Sequence, residues 1–151
     1  MIQFIRDKAI KATIAKAVLH DLKDWFGIDE ATNTYIKESQ NMPFFAVYHE
    51  GEAVGFAALK TTSPHAVEIY VIGIKQSYHR QGFGQALVEA MIAYAKQKGY
   101  RFLQVKTVAE GNYAIYDRTL AFYKALGFYE LEVFKTLWDK TNPCQLLVMP
   151  L

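Results

Sequence analysis

Ile72-Gly73-Ile74-Lys75-Gln76-Ser77-Tyr78-His79-Arg80-Gln81-Gly82-Phe83-Gly84 is the stretch on which the reading of this 151-residue chain turns. The apolar run Ala66 to Ile74 leads into it. Phe83, Leu87, Ala90, Met91, Tyr94 and Ala95 follow at helical spacing, up to a stop at Gly99. The stretch therefore joins a buried strand to a helix spanning Gly82 to Lys98. The first N–H groups of a helix lack internal partners and carry partial positive charge. Glycines let a phosphate approach that backbone, and Arg80 adds a charge-assisted contact. Two nucleotide motifs fail here. The dinucleotide fingerprint requires a third glycine where Leu87 stands, and a Walker A loop requires Lys-Ser/Thr where Gln85-Ala86 follow Gly84.

Upstream, Ile2 to Arg6 reads as a strand. Lys8 to Phe26 reads as a helix with its stripe at Ile10, Ile14, Ala17, Val18, Leu22 and Trp25, closed by Gly27. Asp29 to Ser39 reads as a polar surface helix. Pro43 to His49 and Ala53 to Thr62 form a hairpin about Glu50-Gly51, and Ser63-Pro64 separates it from the strand Ala66 to Ile74. Downstream come a strand from Arg101 to Thr107, a loop from Val108 to Tyr113 and a helix from Ile115 to Leu126 ending at Gly127. Strands from Phe128 to Lys135 and Cys144 to Met149 follow, with an Asn142-Pro143 turn between them. The order β-α-α-β-β-β-α-β-α-β-β predicts an α/β fold, a mixed sheet covered by helices, in one domain over residues 1–151.

Composition narrows the function classes. Apolar residues at 52% and charged residues at 21% are those of a globular chain. A net charge of +2 on scattered Lys and Arg gives no basic stripe, so no nucleic-acid partner is expected. No apolar run is long enough to span a membrane, and no signal-peptide pattern opens the chain, so a cytoplasmic location is the default expectation. The single cysteine, Cys144, reads as a small core residue. With it and four dispersed histidines, no metal site is expected.

A second stretch, Ala121-Phe122-Tyr123-Lys124-Ala125-Leu126-Gly127-Phe128, runs from a helix directly into a strand. Together the two stretches resemble the GNAT (GCN5-related N-acetyltransferase) superfamily. Gly82 and Gly84 match its acyl-CoA pyrophosphate loop, Arg/Gln-x-x-Gly-x-Gly/Ala. Ile74 and Tyr78 fill the places of its aliphatic strand residue and its tyrosine. Phe122, Tyr123, Gly127 and Phe128 match its later Phe/Leu-Tyr-x-x-x-Gly-Phe. His79 stands where Arg or Gln is usual and Gln76 where Pro is frequent. Tyr116 and Thr119 replace the family's Asn and Ala, which removes an expected amide contact to the pantetheine arm.

The resemblance implies the GNAT fold, a mostly antiparallel sheet flanked by helices, and acetyl transfer from acetyl-CoA to a primary amine of a small molecule or peptide. It places the pyrophosphate at His79, Arg80, Gln81, Gly82, Phe83, Gly84 and Gln85. The pantetheine arm would lie along the backbone of Ile72, Gly73 and Ile74, with the Ile74 N–H as oxyanion donor. Tyr123 is the expected general acid, because a phenol stays protonated at neutral pH and can pass its proton to a leaving thiolate. Glu68, spaced from Ile74 as the catalytic glutamate is in the histone-acetylating branch, is the candidate base. Strand alternation would set it on one face with Tyr70, Ile72 and Ile74. A solvated surface glutamate, with water chains moving the proton, is the alternative. Asp29, Glu30, Glu110, Asp117, Trp25, Phe26, Tyr113 and Tyr116 fall in the segments that build the family's acceptor end; helix starts, loop charges and core packing are their commoner uses. Homodimers are common in the family. A non-catalytic acyl-CoA binder and a plain interaction domain are the rival functions.

Overall fold

The computed structural model describes residues 1–23 and 29–151. Its elements follow the expected order: β1 Ile2–Ile5, α1 Lys8–Asp21, α2 Asp29–Ser39, β2 Phe44–His49, β3 Glu52–Ser63, β4 Ala66–Ile74, α3 Phe83–Gln97, β5 Phe102–Val108, α4 Ala114–Ala125, β6 Tyr129–Asp139 and β7 Asn142–Pro150. A single 3-10 turn, Gln76–Tyr78, sits between β4 and α3. The β2–β3 hairpin closes where expected. Glu50 and Gly51 both take positive φ (51° and 81°), the left-handed pair that matches strand twist.

The seven strands form one mixed sheet in the order β1-β2-β3-β4-β5-β7-β6. Neighbours run antiparallel except β4 and β5, which are parallel and joined through α3. That parallel contact is short. It pairs Ala66 with Phe102 through Ile69 with Val105 and then stops, although β4 continues to Ile74. β5 meanwhile stays paired with β7 as far as Val108. The sheet thus parts along the second half of β4 and leaves that strand with an unpaired edge.

Two cores cover the two faces. One is built from α3, α4 and the strand residues Phe45, Ala57, Val67, Ile69, Leu103, Val105 and Leu147. The other packs α1 against Phe44, Ala46, Phe56, Ala58 and Val71. The buried stripe of α1 is rotated from its expected position. Lys11, Ile14, Ala15, Val18, Leu19 and Leu22 are buried, while Ile10 is 47% exposed and Ala17 faces solvent. Lys11 belongs inside because its Nζ donates to the carbonyls of Gln40 (3.2 Å) and Met42 (2.8 Å) just beyond α2. Burial, followed by the nearby Lys8 charge, lowers its pKa. The helix also stops short of the expected end at Phe26: it closes at Asp21, where Leu22 N donates to Leu19 O at 3.1 Å and the chain turns. Phe26 and the expected stop at Gly27 lie outside the described residues.

The β6–β7 connection also differs from expectation. Asn142 and Pro143 begin β7, and the turn lies at Lys140 and Thr141. The Asp139 carboxylate builds it, accepting from Thr141 N (2.9 Å), Thr141 Oγ1 (2.7 Å) and Asn142 Nδ2 (3.0 Å). Cys144 is a free, buried core residue. Among the described residues no helix is long and apolar enough to cross a membrane.

Candidate active site

The parted edge of β4 owes its geometry to one extra residue. Ala58 pairs with Val71 and Leu59 with Ile69, so Tyr70 is a bulge. The bulge reverses the alternation assumed from sequence. Val67 and Ile69 point into the α3 core, which leaves Glu68 on the opposite face. Tyr70 and Val71 both pack on the α1 side, and Ile72 and Ile74 return to the α3 side. Glu68 therefore shares a face with Tyr70 and not with Ile72 or Ile74.

The polarity of that edge follows from one hydrogen bond. Lys75 N donates to Val54 O at 2.9 Å, so the Lys75 amide points towards β3. Amide directions alternate along a strand, and the N–H and C=O of Ile74 and Ile72 must point away from β3, into the gap. The Ile74 carbonyl is met there by His79 Nε2 at 2.6 Å, which requires the proton on Nε2. The side chain at the departure from the family loop thus braces the loop against β4. Gly73 fits close against α1, where a Cβ would come 2.9 Å from Leu22 Cδ1 and 3.2 Å from Val18 Cγ1.

The loop itself is pinned over its first half. Gln76 N and Nε2 donate to the Asp21 carboxylate (2.7 Å) and carbonyl (2.6 Å). Glu52 accepts from Lys75 Nζ (2.9 Å) and Tyr78 OH (3.3 Å). Arg80 and Gly82 adopt positive φ, 61° and 85°, and turn the chain into α3. A non-glycine residue in that region marks local strain of the kind held at binding loops. Gly82 is the N-cap and has no side chain to offer, and the first bond back to it comes from Ala86 N. The N–H groups of Phe83, Gly84 and Gln85 thus point out of the helix start with no side-chain cap. Arg80, Gln81, Gly82 and Gln85 are exposed around them. Gly84 packs closely on α4: a Cβ there would approach Phe122 Cζ to 3.3 Å and the ring would have to give by a few tenths of an ångström. Uncapped amides at an exposed glycine-lined helix start fit a pyrophosphate.

Tyr123 is placed by the end of α4. Phe128 N donates to Tyr123 O (3.1 Å), Gly127 N donates to Lys124 O (3.1 Å), and Gly127 has φ 106°. This is a Schellman stop, and its usual apolar contact is here the Tyr123–Phe128 ring pair at 5.5 Å. The Phe-Tyr-x-x-x-Gly-Phe spacing is therefore a helix terminator that fixes Tyr123. The ring is 3% exposed, and burial raises its phenol pKa. Its hydroxyl bonds to none of the described residues and is not completely sealed off.

Glu68 is 9% exposed and accepts from Lys106 Nζ at 2.7 Å. No motif or spacing marks Lys106 in the sequence. It lies two positions beyond Gln104, the β5 partner of Glu68, and only the parallel register brings it there. On the same face a shallow cleft of about 430 Å³ is lined by Glu30, Ala31, Thr34, Tyr35 and Tyr70. Tyr35 and Tyr70 meet edge to face at 5.2 Å. Burial and then the Glu68 charge raise the Tyr35 pKa; burial and then Tyr35 raise that of Tyr116. Of the acceptor-end candidates, Tyr116 also stacks edge-on with Tyr113 at 5.8 Å, and Glu30 lines the cleft. Asp117 instead caps its own loop, accepting from Gly111 N at 3.0 Å. Asp29 starts α2 and Glu110 is exposed in the loop before α4. Trp25 and Phe26 lie outside the described residues. No three His, Cys, Asp or Glu side chains among the described residues gather into a metal-binding set.

Comparison with known proteins matches the same region. An uncharacterized N-acetyltransferase of Methanocaldococcus jannaschii is 34% identical over 98 residues, 61% of this chain and 41% of that protein. The [ribosomal protein bS18]-alanine N-acetyltransferase of Escherichia coli is 28% identical over 98 residues, 65% of this chain and 62% of that one. The chain thus spans less than two thirds of the length of either relative. An acetyltransferase structure of the GNAT family from Desulfovibrio desulfuricans superposes with a TM-score of 0.85 at 15% identity, covering 99% of this chain and 98% of that one. A GNAT family acetyltransferase from Elizabethkingia anophelis with acetyl-CoA bound gives 0.70 at 21% identity, covering 86% and 88%. The sequence pattern described as the acetyltransferase (GNAT) family matches residues 14–128. This chain belongs to the acetyltransferase (GNAT) family.

Proposed function

We propose that the protein is an acetyl-CoA-dependent N-acetyltransferase acting on a primary amine of a small molecule or peptide. The observation that carries the reading is the parted β4 edge leading into the uncapped start of α3. One end offers backbone groups to an extended amide-bearing arm and the other offers N–H groups to a pyrophosphate. Similar proteins named N-acetyltransferases, and a similar fold solved with acetyl-CoA, support it.

In this reading Phe83, Gly84 and Gln85 donate to the phosphates and Arg80 neutralises their charge, while Gln81 and Gly82 shape the turn. The backbone of Ile72, Gly73 and Ile74 aligns the thioester, and the Ile74 N–H donates to the carbonyl oxygen as the amine adds. Glu68 takes the proton released by the attacking nitrogen. When the carbon–sulfur bond breaks, Tyr123 gives its phenolic proton to the thiolate and is later reprotonated from solvent. His79 holds the loop through the Ile74 carbonyl. The Tyr35–Tyr70 cleft, beside Glu68, receives the acceptor.

Glu68→Gln is expected to lower kcat/KM by about 10²-fold. An unchanged kcat/KM would reduce Glu68 to a structural partner of Lys106. The reading as a whole is tested by following thiol release from acetyl-CoA across a panel of small amines and peptides with free N-termini or lysines. Release that depends on one amine class supports it. Tight binding of acetyl-CoA with no release from any member favours a non-catalytic acyl-CoA binder.

A further inference from the structure

The gap beside β4 is closed at one end by a lysine. Ile69–Val105 is the last pair between β4 and β5, and Lys106 is the first β5 residue beyond it. Leu103 and Val105 point into the α3 core, so Lys106 leaves β5 on the other face, where Glu68 lies. Adjacent strands are about 4.8 Å apart, and the Lys106 side chain crosses that width. Its Nζ reaches Glu68 Oε1 on β4 at 2.7 Å. The pair is not sealed in, since the Lys106 side chain is 31% exposed. The other end of the gap is open, where Ile74 leads through the loop to the uncapped start of α3.

On the acetyl-CoA reading proposed above, that layout fixes which end of the cosubstrate meets the lysine. The pyrophosphate lies at the start of α3, and the arm runs from there along Ile74, Gly73 and Ile72, back towards Tyr70. The thioester is the last group on the arm, so it is the part nearest the closed end. Lys106 presents a primary amine there, bonded to the carboxylate assigned as base. An amine held beside the group it attacks needs no encounter step. Lys60 also neighbours Glu68 in the sheet, but it lies on β3, on the side of β4 away from the gap, with its Nζ over the Tyr70 ring at 5.9 Å.

We propose that Lys106 is itself an acetyl acceptor, modified by the acetyl-CoA bound to its own chain when no other amine occupies the site. The inference rests on the acetyl-CoA reading. A C–N bond forms between Nζ and the thioester carbon and the C–S bond breaks, giving an acetylated Lys106 and free CoA. Two protons leave the nitrogen. One passes through Glu68 to solvent, and the other makes up for the proton that Tyr123 gives to the thiolate. The neutral amide no longer forms an ion pair with Glu68. To test this, the full chain is incubated with acetyl-CoA and no added amine, and intact mass and peptide mapping locate the acetyl group. A single acetyl group per chain is expected, on Lys106 and not on Lys60, at a rate per chain that does not change with protein concentration. An excess of free CoA is expected to suppress it by filling the gap, whereas chance acetylation of surface lysines is insensitive to free CoA. Lys106→Arg keeps a cation beside Glu68 and is expected to lose the mass gain. Circular dichroism checks its fold, and the suppression by CoA needs no variant. Calorimetric binding of acetyl-CoA with Lys106 left unmodified overturns this proposal and leaves the transferase reading standing. Labelling spread over exposed lysines, labelling of Lys106 that free CoA does not suppress, or a rate that grows with protein concentration also overturns it. No binding of acetyl-CoA removes both.

Discussion

Tyr123→Phe is expected to lower kcat by about 10²-fold or more and to leave acetyl-CoA affinity unchanged. The substitution removes one oxygen. The ring contacts to Phe122 and Phe128, at 5.3 and 5.5 Å, and the Schellman bonds made by the Tyr123 carbonyl all remain. The hydroxyl bonds to none of the described residues, so its loss leaves no buried group among them without a partner, and stability should change by less than about 1 kcal/mol. The pH dependence separates this role from others. Burial raises the phenol pKa, so Tyr123 stays protonated throughout neutral and mildly alkaline assays. An alkaline fall in kcat in that range must therefore come from another group, and Tyr123→Phe should scale the profile down without moving it. Stopped-flow or steady-state thiol release measures both. Equal turnover in variant and wild type removes Tyr123 from the mechanism.

The second large effect is expected at the phosphate loop. Gly82 has φ 85°, and an added Cβ would meet nothing within 4 Å. Asn and Asp tolerate this left-handed region better than other side chains, so Gly82→Asn and Gly82→Asp should both fold, each losing about 1 kcal/mol. An aspartate is favourable at a helix start, but it sets a carboxylate beside the amides of Phe83, Gly84 and Gln85. At about 5 Å from a phosphate, the repulsion is on the order of 3 kcal/mol in a partly solvated site. Gly82→Asp is therefore expected to raise the acetyl-CoA Kd by about 10²-fold at low salt, with part of the loss recovered at high salt. The isosteric Gly82→Asn should cost less than about tenfold. Equal losses in the two variants would mean that shape, and not an anion, explains the glycine.

The element order could be read from sequence because each element carries its own period and its own stop. Gly99 and Gly127 end α3 and α4 with positive φ, and Glu50-Gly51 closes the hairpin. The two loop glycines and the tyrosine could be read for the same reason: each is part of a local turn or helix end. What could not be read depends on tertiary register. The Tyr70 bulge has no residue type that announces it, yet it moves Glu68 to the face opposite Ile72 and Ile74. Lys106 reaches Glu68 only through the parallel pairing of β4 with β5. Lys11 looks like a surface residue until the carbonyls beyond α2 are brought to it. The turn at Lys140 and Thr141 was hidden by Asn142-Pro143, whose turn-forming residues serve here as the start of a strand.

Whether the gap beside β4 and the start of α3 hold an acyl-CoA is the question that decides the rest. The purified protein would be titrated calorimetrically with acetyl-CoA, with free CoA, and with ATP as a control of similar charge. Micromolar binding shared by acetyl-CoA and CoA and absent for ATP is expected, because the β4 edge recognises the pantetheine arm that ATP lacks. A folded sample that gives no heat with either CoA species would contradict the assignment and leave a GNAT-fold protein that has lost its cosubstrate.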